Sequence, residues 1–201
     1  MKHPTNRLLY AYWDRLRGER AAPERSEIEP GEIRSLLADS MILEVDAPGR
    51  SLTMRLAGTR VCALFGRELK GSSFIGLWGD PGAETWNLVE TVAGDTVGLV
   101  AGLTGSTQRG EPVDLELLLL PLRHRGKTQA RMLGALSPVV IPAWLGHRPV
   151  VRLETKSQRV LSRAAVAGWL ADPPGRDVPV PANDTLPARH GHLLVHKGGL
   201  A

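Results

Sequence analysis

Residues Leu52 to Trp78 read LTMRLAGTRVCALFGRELKGSSFIGLW, and their pattern governs how the rest of the chain is read. Leu52, Met54 and Leu56 alternate with Thr53 and Arg55, the period-two signature of a strand with one buried face. Gly58-Thr59 interrupts that strand, with Thr59 placed to cap the short apolar helix Val61-Cys62-Ala63-Leu64-Phe65. Gly66 ends the helix, and GRELKG leads into a segment bearing Phe74 and Trp78.

Working outward, Leu8, Leu9, Tyr12, Trp13 and Leu16 recur at helical spacing and predict an amphipathic helix over residues 5–17, stopped by Gly18. A charged linker follows. Pro30 then suits the first position of a short helix over Gly31–Ala38. Ser40–Val45 and Leu52–Ala57 read as strands one and two, joined by the turn at Asp46-Ala47-Pro48-Gly49. Asp80-Pro81 predicts a helix start, with Trp86, Val89 and Val92 on its buried side and an end near Gly94. Three long strands follow over Val97–Thr107, Pro112–Arg123 and Thr128–Ile141, separated by Arg109-Gly110 and Arg125-Gly126 as hairpins require.

Two strands, several short helices and a three-stranded meander predict an α+β fold on a five-stranded antiparallel sheet. The fourth strand adds a constraint. Val113, Leu115, Leu117 and Leu119 form one apolar face, while Leu118, Leu120 and Leu122 make the other apolar over half its length. Such a strand is buried on both sides. The short helices would cover one face, and the Tyr12-Trp13-Leu16 helix the other, in the same subunit or a neighbouring one.

Beyond Pro142 the pattern weakens. Val150, Val151 and Leu153 extend as a strand, and Ser157 is placed to cap a helix over Gln158–Leu170. From Asp172 onward Pro173, Pro174, Pro179, Pro181 and Pro187 punctuate a polar segment read as a disordered tail. The expected organisation is an N-terminal helix and linker over 1–29, a main domain over 30–142, an extension over 143–171 and a tail over 172–201.

The segments YWDRLRG (Tyr12–Gly18), PERSEIEPGEI (Pro23–Ile33) and RLAGTRVCALFGRELKG (Arg55–Gly71) resemble the PAS domain family. They are most like its short stand-alone bacterial members, once catalogued only as a domain of unknown function. The resemblance runs from about residue 7 to 140. It implies strand order 2-1-5-4-3, with short helices on one face and an N-terminal helix on the other. It also implies a sensory or adaptor role in bacterial signalling, through contact with kinases or other regulators, and dimer formation through flanking helices.

Composition narrows the function classes. The chain has 201 residues, 42% of them hydrophobic, enough for an ordinary core. One cysteine excludes an internal disulfide framework and suits a reducing compartment. No signal-peptide pattern and no apolar run of about 18 residues stands out, so a cytoplasmic location is expected. The net charge of +4 and pI near 9.6 raise nucleic-acid binding, carried as an alternative. Acids interleave with the bases, and no aromatic strand motif accompanies them.

Chemistry-bearing motifs are sparse. Cys62 lacks the asparagine-cysteine-arginine-phenylalanine run of flavin-binding light sensors, and no histidine lies between His3 and His124 to serve a haem. No cofactor or metal is therefore expected. His190, His192 and His196 lack partners at zinc-site spacing. Gly98–Thr107, GLVAGLTGST, lacks the lysine of a phosphate loop and reads as strand. Asp114 and Glu116 share a strand face beside Arg131 and are read as solvated cross-strand partners. No catalytic constellation is recognised, and a non-enzyme is expected.

One pocket emerges. Met54, Leu56, Trp78, Leu99, Ala101, Leu117, Met132 and Gly134 would line an apolar cavity beneath the short helices, with Gly134 leaving the space. Phe74, Trp78 or Leu64 could instead fill it. An enzyme using the same cavity is the rival reading. The interaction element would be the N-terminal helix, through Leu9, Tyr12, Trp13 and Leu16.

Overall fold

The computed structural model describes residues 1–79, 83–94, 96–125 and 127–161, together with 188–190 and 193–195. It resolves into two compact units, Met1–Ala165 and Val166–Ala201. The first begins with helix α1, Pro4–Arg17, whose start is capped by the His3 imidazole accepting the Thr5 N–H. Strands β1 (Ser40–Asp46) and β2 (Ser51–Ala57) precede helix α2 (Thr59–Phe65), a 3-10 turn at Ile75–Trp78, and helix α3 (Ala83–Gly94). Strands β3 (Gly98–Thr107), β4 (Pro112–His124), β5 (Lys127–Pro138) and β6 (Val150–Leu161) complete it.

The fold is α+β, as the pattern predicts, on an antiparallel sheet in the order β2-β1-β5-β4-β3-β6. The sixth strand corrects the sequence reading. The sequence predicts helix over Gln158 to Leu161, but these residues pair with Ala101 to Gly98 along the outer edge of β3. Strand β6 alternates Leu153 inward with charged residues outward, a pattern too polar to separate from a helix by periodicity. The remainder of that helix, from Ser162, lies outside the described residues.

Three local expectations also change. Residues 31–38 form no α-helix: Glu32, Ile33, Leu36 and Asp39 donate to carbonyls three residues back, ending in a 3-10 turn over Leu37–Asp39. Bonds to carbonyls three residues back make the tighter 3-10 geometry, which suits short connecting pieces. Helix α2 is capped by Gly58 rather than Thr59, without any side-chain cap. Gly58 is demanded by space, since a Cβ there would lie 2.2 Å from the Leu37 carbonyl oxygen and 2.3 Å from that of Ala38. Finally, β5 stops at Pro138, leaving Val139, Val140 and Ile141 exposed beyond it.

Strand β4 is buried on both faces, with Leu117 to Leu120 wholly inaccessible. On the inner face the main core gathers Val61, Leu64, Phe74, Trp86, Val89 and Val92 from the helices against Leu43, Leu99, Leu117 and Met132 from the sheet. The outer face carries α1 and the linker, with Leu9, Tyr10, Trp13, Ala22, Ile28 and Ile33 buried on that side of the chain.

In the second unit, Ala188–His190 (β7) and Leu193–Val195 (β8) pair as an antiparallel two-stranded sheet. This falls within the segment read as a tail, whose other residues lie outside the described ones. His190 belongs to β7, and His192 and His196 are outside the described residues.

Candidate functional site

Two faces of one sheet supply the candidate surfaces. On the inner face, Met54, Trp78, Leu99, Ala101, Leu117 and Met132 all belong to the main core cluster. Leu56 does not. Its side chain is 46% exposed, because the register slips between Ile42 and Leu43 and skips Arg55. That bulge turns Leu56 to the outer face, opposite Ile42.

Gly134 does sit inside, paired with Met41, but the space it leaves is used. A Cβ there would come within 3.0 Å of Met41 Cε and Cγ. Met41 is fully buried and supplies the volume that Gly134 lacks. Nearby, Phe74 and Trp78 pack edge to face at 5.3 Å, and Trp78 Nε1 donates to Thr155 Oγ1 at 3.1 Å. That bond ties the 3-10 turn to β6.

The outer face holds a buried carboxylate with several donors. Glu116 projects from β4 and is only 6% exposed. Its carboxylate accepts the backbone N–H of Lys2 at 2.6 Å and of His3 at 2.9 Å, and the Asn6 side-chain amide at 3.0 Å. Asn6 also donates to the Glu116 carbonyl at 3.3 Å. A carboxylate taken from water needs such donors, and amides at a helix start suit it because the dipole is positive there. The expected solvated pairing with Arg131 is therefore wrong for Glu116. Across the strand pair its neighbour is Ser137, while Arg131 stands opposite Leu122 and reaches Glu44 at 3.9 Å. Asp114 stays exposed and accepts from Thr104.

Helix α1 is fastened along its length. Trp13 Nε1 donates to the Pro121 carbonyl at 2.8 Å, and the Arg17 guanidinium lies 4.9 Å from the Trp13 ring centre. Tyr12 Oη accepts the Glu29 N–H at 2.8 Å. Leu9, Tyr12 and Trp13, the expected interaction stripe, thus pack within this chain, with Leu16 half-buried. Leu8, on the other side of the helix, is 58% exposed. Beside α1 the sheet remains open. A groove of about 480 Å³ runs over β3 and β6, bordered by Lys2, Val100, Gly102, Asp114, Val139 and Lys156.

Comparison with known proteins places this geometry. A family profile described as PAS domain matches residues 1–137, well over half of the chain. The chain belongs to the PAS domain family. No curated protein matches it. Among solved structures, an RNA-binding light-oxygen-voltage (LOV) receptor shares 17% identity at a TM-score of 0.44, covering 58% of this chain and 35% of that one. The Rhodobacter sphaeroides LOV protein shares 16% at 0.42, covering 58% and 71%. The PAS domain of an HTR-like protein from Haloarcula marismortui shares 21% at 0.38, covering 54% and 89%. The chain spans about a third of the length of the RNA-binding receptor.

Membership in the PAS family implies a sensory signalling domain. Among the described residues no helix is long and apolar enough to cross a membrane. None of them form a group of three or more histidine, cysteine or acidic side chains able to hold a metal. Cys62 is half-buried, with its Sγ 3.7 Å from Glu68 Oε1 and 4.0 Å from the Ala57 carbonyl. Glu116, read from the sequence as solvated, is buried instead. Its signal was an acid facing the same way as Leu118 and Leu120 on a strand buried on both sides.

Proposed function

We propose that this PAS domain is a non-catalytic sensory adaptor in bacterial signalling that works by contact with a kinase or regulator. The contact surface is the outer face of the sheet: the exposed side of α1 together with the groove over β3 and β6. The observation that carries this is the fastening of α1 by the buried Glu116 carboxylate. It presents a fixed helix beside an open apolar and charged groove. An exposed Leu8 on that helix is the kind of apolar anchor that contact surfaces use.

A core ligand beneath the short helices has less support. Six of its eight expected residues converge, but Met41 occupies the space that Gly134 was to leave. Dimer formation is carried as a second use of the same outer face.

Affinity capture from the native cell tests the proposal, using the full chain and the surface variants Leu8→Glu and Lys156→Glu. Both substitutions sit on exposed side chains and leave the fold intact. The expected result is one co-purifying signalling protein, reproducibly held by the wild type and lost from both variants. An identical set of captured proteins from all three would overturn the proposed surface.

A further inference from the structure

A second concavity lies at the margin of the inner face, where α2, the end of β5 and residues 138–146 meet. Its volume is about 200 Å³. The walls are apolar: Ala63 and Leu64 from α2, Leu136 from β5, and Ile141 and Leu145 from the following segment. One polar pair completes the lining. Asp39 is 4% exposed, and its carboxylate accepts Arg60 Nε at 3.0 Å and Nη2 at 2.7 Å.

That pairing matters because it uses one edge of the guanidinium and fixes its plane. Arg60 remains 59% exposed, and its Nη1 makes no hydrogen bond to any described residue. Arginine held this way offers planar, preorganised donors that match a second carboxylate, which a lysine would not. Ile141, 73% exposed, adds an apolar side chain at the rim.

We propose that this crevice binds a small carboxylate with a compact apolar body. The carboxylate lies on the free Nη1 of Arg60 and the body against Leu64, Leu136, Ile141 and Leu145. Size supports the class, since an apolar cavity of about 150 Å³ accommodates benzene. The space here takes one ring or one branched chain with its acid group outward. Asp39 positions the guanidinium and also neutralises it, so binding rests on hydrogen bonds and burial rather than on net charge. Affinity in the millimolar range, about 4 kcal/mol, follows for so small a ligand. The inference stands apart from the docking role of α1.

The test is a methyl NMR titration of the full chain with phenylacetate, and in parallel with neutral 2-phenylacetamide. The expected result is saturable shifts of the Leu64, Leu136, Ile141 and Leu145 methyls. The amide should bind roughly tenfold more weakly, a difference of about 1.4 kcal/mol. Ala63→Leu, an exposed position on the crevice wall, should abolish the shifts by filling the space. Ile141→Asp, at the rim, should abolish them by repelling the acid without touching the core. Absence of saturable shifts with both phenylacetate and 4-methylpentanoate would overturn the proposal. So would equal affinity for acid and amide, or unchanged binding in either folded variant.

Discussion

Asn6 in the first turns of α1 and Glu116 in the middle of β4 share a hydrogen bond of 3.0 Å across 110 residues of sequence. With the two backbone N–H groups at Lys2 and His3, this makes the carboxylate the anchor on which α1 begins. Glu116→Ala removes the acceptor and strands three buried or part-buried donors. Hydrogen bonds to a charged group contribute about 1.5–3 kcal/mol, so a loss near 3 kcal/mol is expected in urea unfolding. Amide exchange should rise first in residues 2–7. A loss below 1 kcal/mol would show the anchor to be idle.

At the other end of α1, Trp13 combines burial with a donated bond to Pro121. Trp13→Ala should cost about 3–5 kcal/mol. Trp13→Phe keeps most of the apolar surface and strands the carbonyl, for a smaller loss of roughly 1–2 kcal/mol. Thermal melts of the two variants check the order. Equal losses would mean that the indole N–H contributes nothing.

Gly58 and Thr59 should behave in opposite ways. At Gly58 a methyl would collide with the backbone of Leu37 and Ala38, which cannot move without displacing the start of β1. Gly58→Ala is expected to destabilise by more than about 2 kcal/mol or to prevent folding. Thr59→Ala removes no cap and should leave the melting temperature within error. A stable Gly58→Ala protein would contradict the close approach.

Gly134→Leu tests the filled inner face. Because Met41 already uses the space, the larger side chain must displace it, and overpacking costs about 1–3 kcal/mol. Gly134→Leu combined with Met41→Ala should recover part of that loss, since the two sites share one volume. Independent, additive effects in chemical denaturation would show the space to be unfilled.

Acid should loosen the linker before the core. The Arg20 guanidinium, with the Glu24 backbone N–H, holds the Glu27 carboxyl below its usual value of 4.5. A depressed folded-state value means that Glu27 stabilises above the unfolded pKa and loses its contribution as pH falls through the folded one. The group is near the surface, so the effect should stay under about 1 kcal/mol. Comparing wild type and Glu27→Gln between pH 7 and 3 should show their stabilities converging on acidification. A gap that stays constant across that range would contradict this.

Much of the fold was legible because apolar periodicity dominates it. The alternation at Leu52 and Met54, and the doubly apolar Leu117 to Leu120, mark β2 and β4 from residue type alone. Other features were hidden for physical reasons. The second half of strand β6 gains its stability from pairing with β3 while its side chains from Lys156 to Val160 are exposed, so it carries no apolar signature. The bulge at Arg55 flips Leu56, and a single skipped residue leaves no trace in composition. Met41 fills the space beside Gly134 from across a strand pair, which only register reveals. Glu116 read as solvated because an isolated acid usually is, and its donors lie more than a hundred residues away.

The proposed contact surface requires α1 to be a layer of its own chain, fixed on the outer face, with its exposed side and the adjoining groove open to a partner. An isotope-filtered NOE experiment on an equimolar mixture of 15N-labelled and 13C-labelled chains tests this directly. It reads contacts between the Trp13 indole N–H and the Pro121 ring. The expected result is strong contacts within singly labelled samples and none between differently labelled chains. Contacts from Trp13 of one chain to Pro121 of the other would show that α1 is exchanged between copies, and the proposed working surface would be wrong.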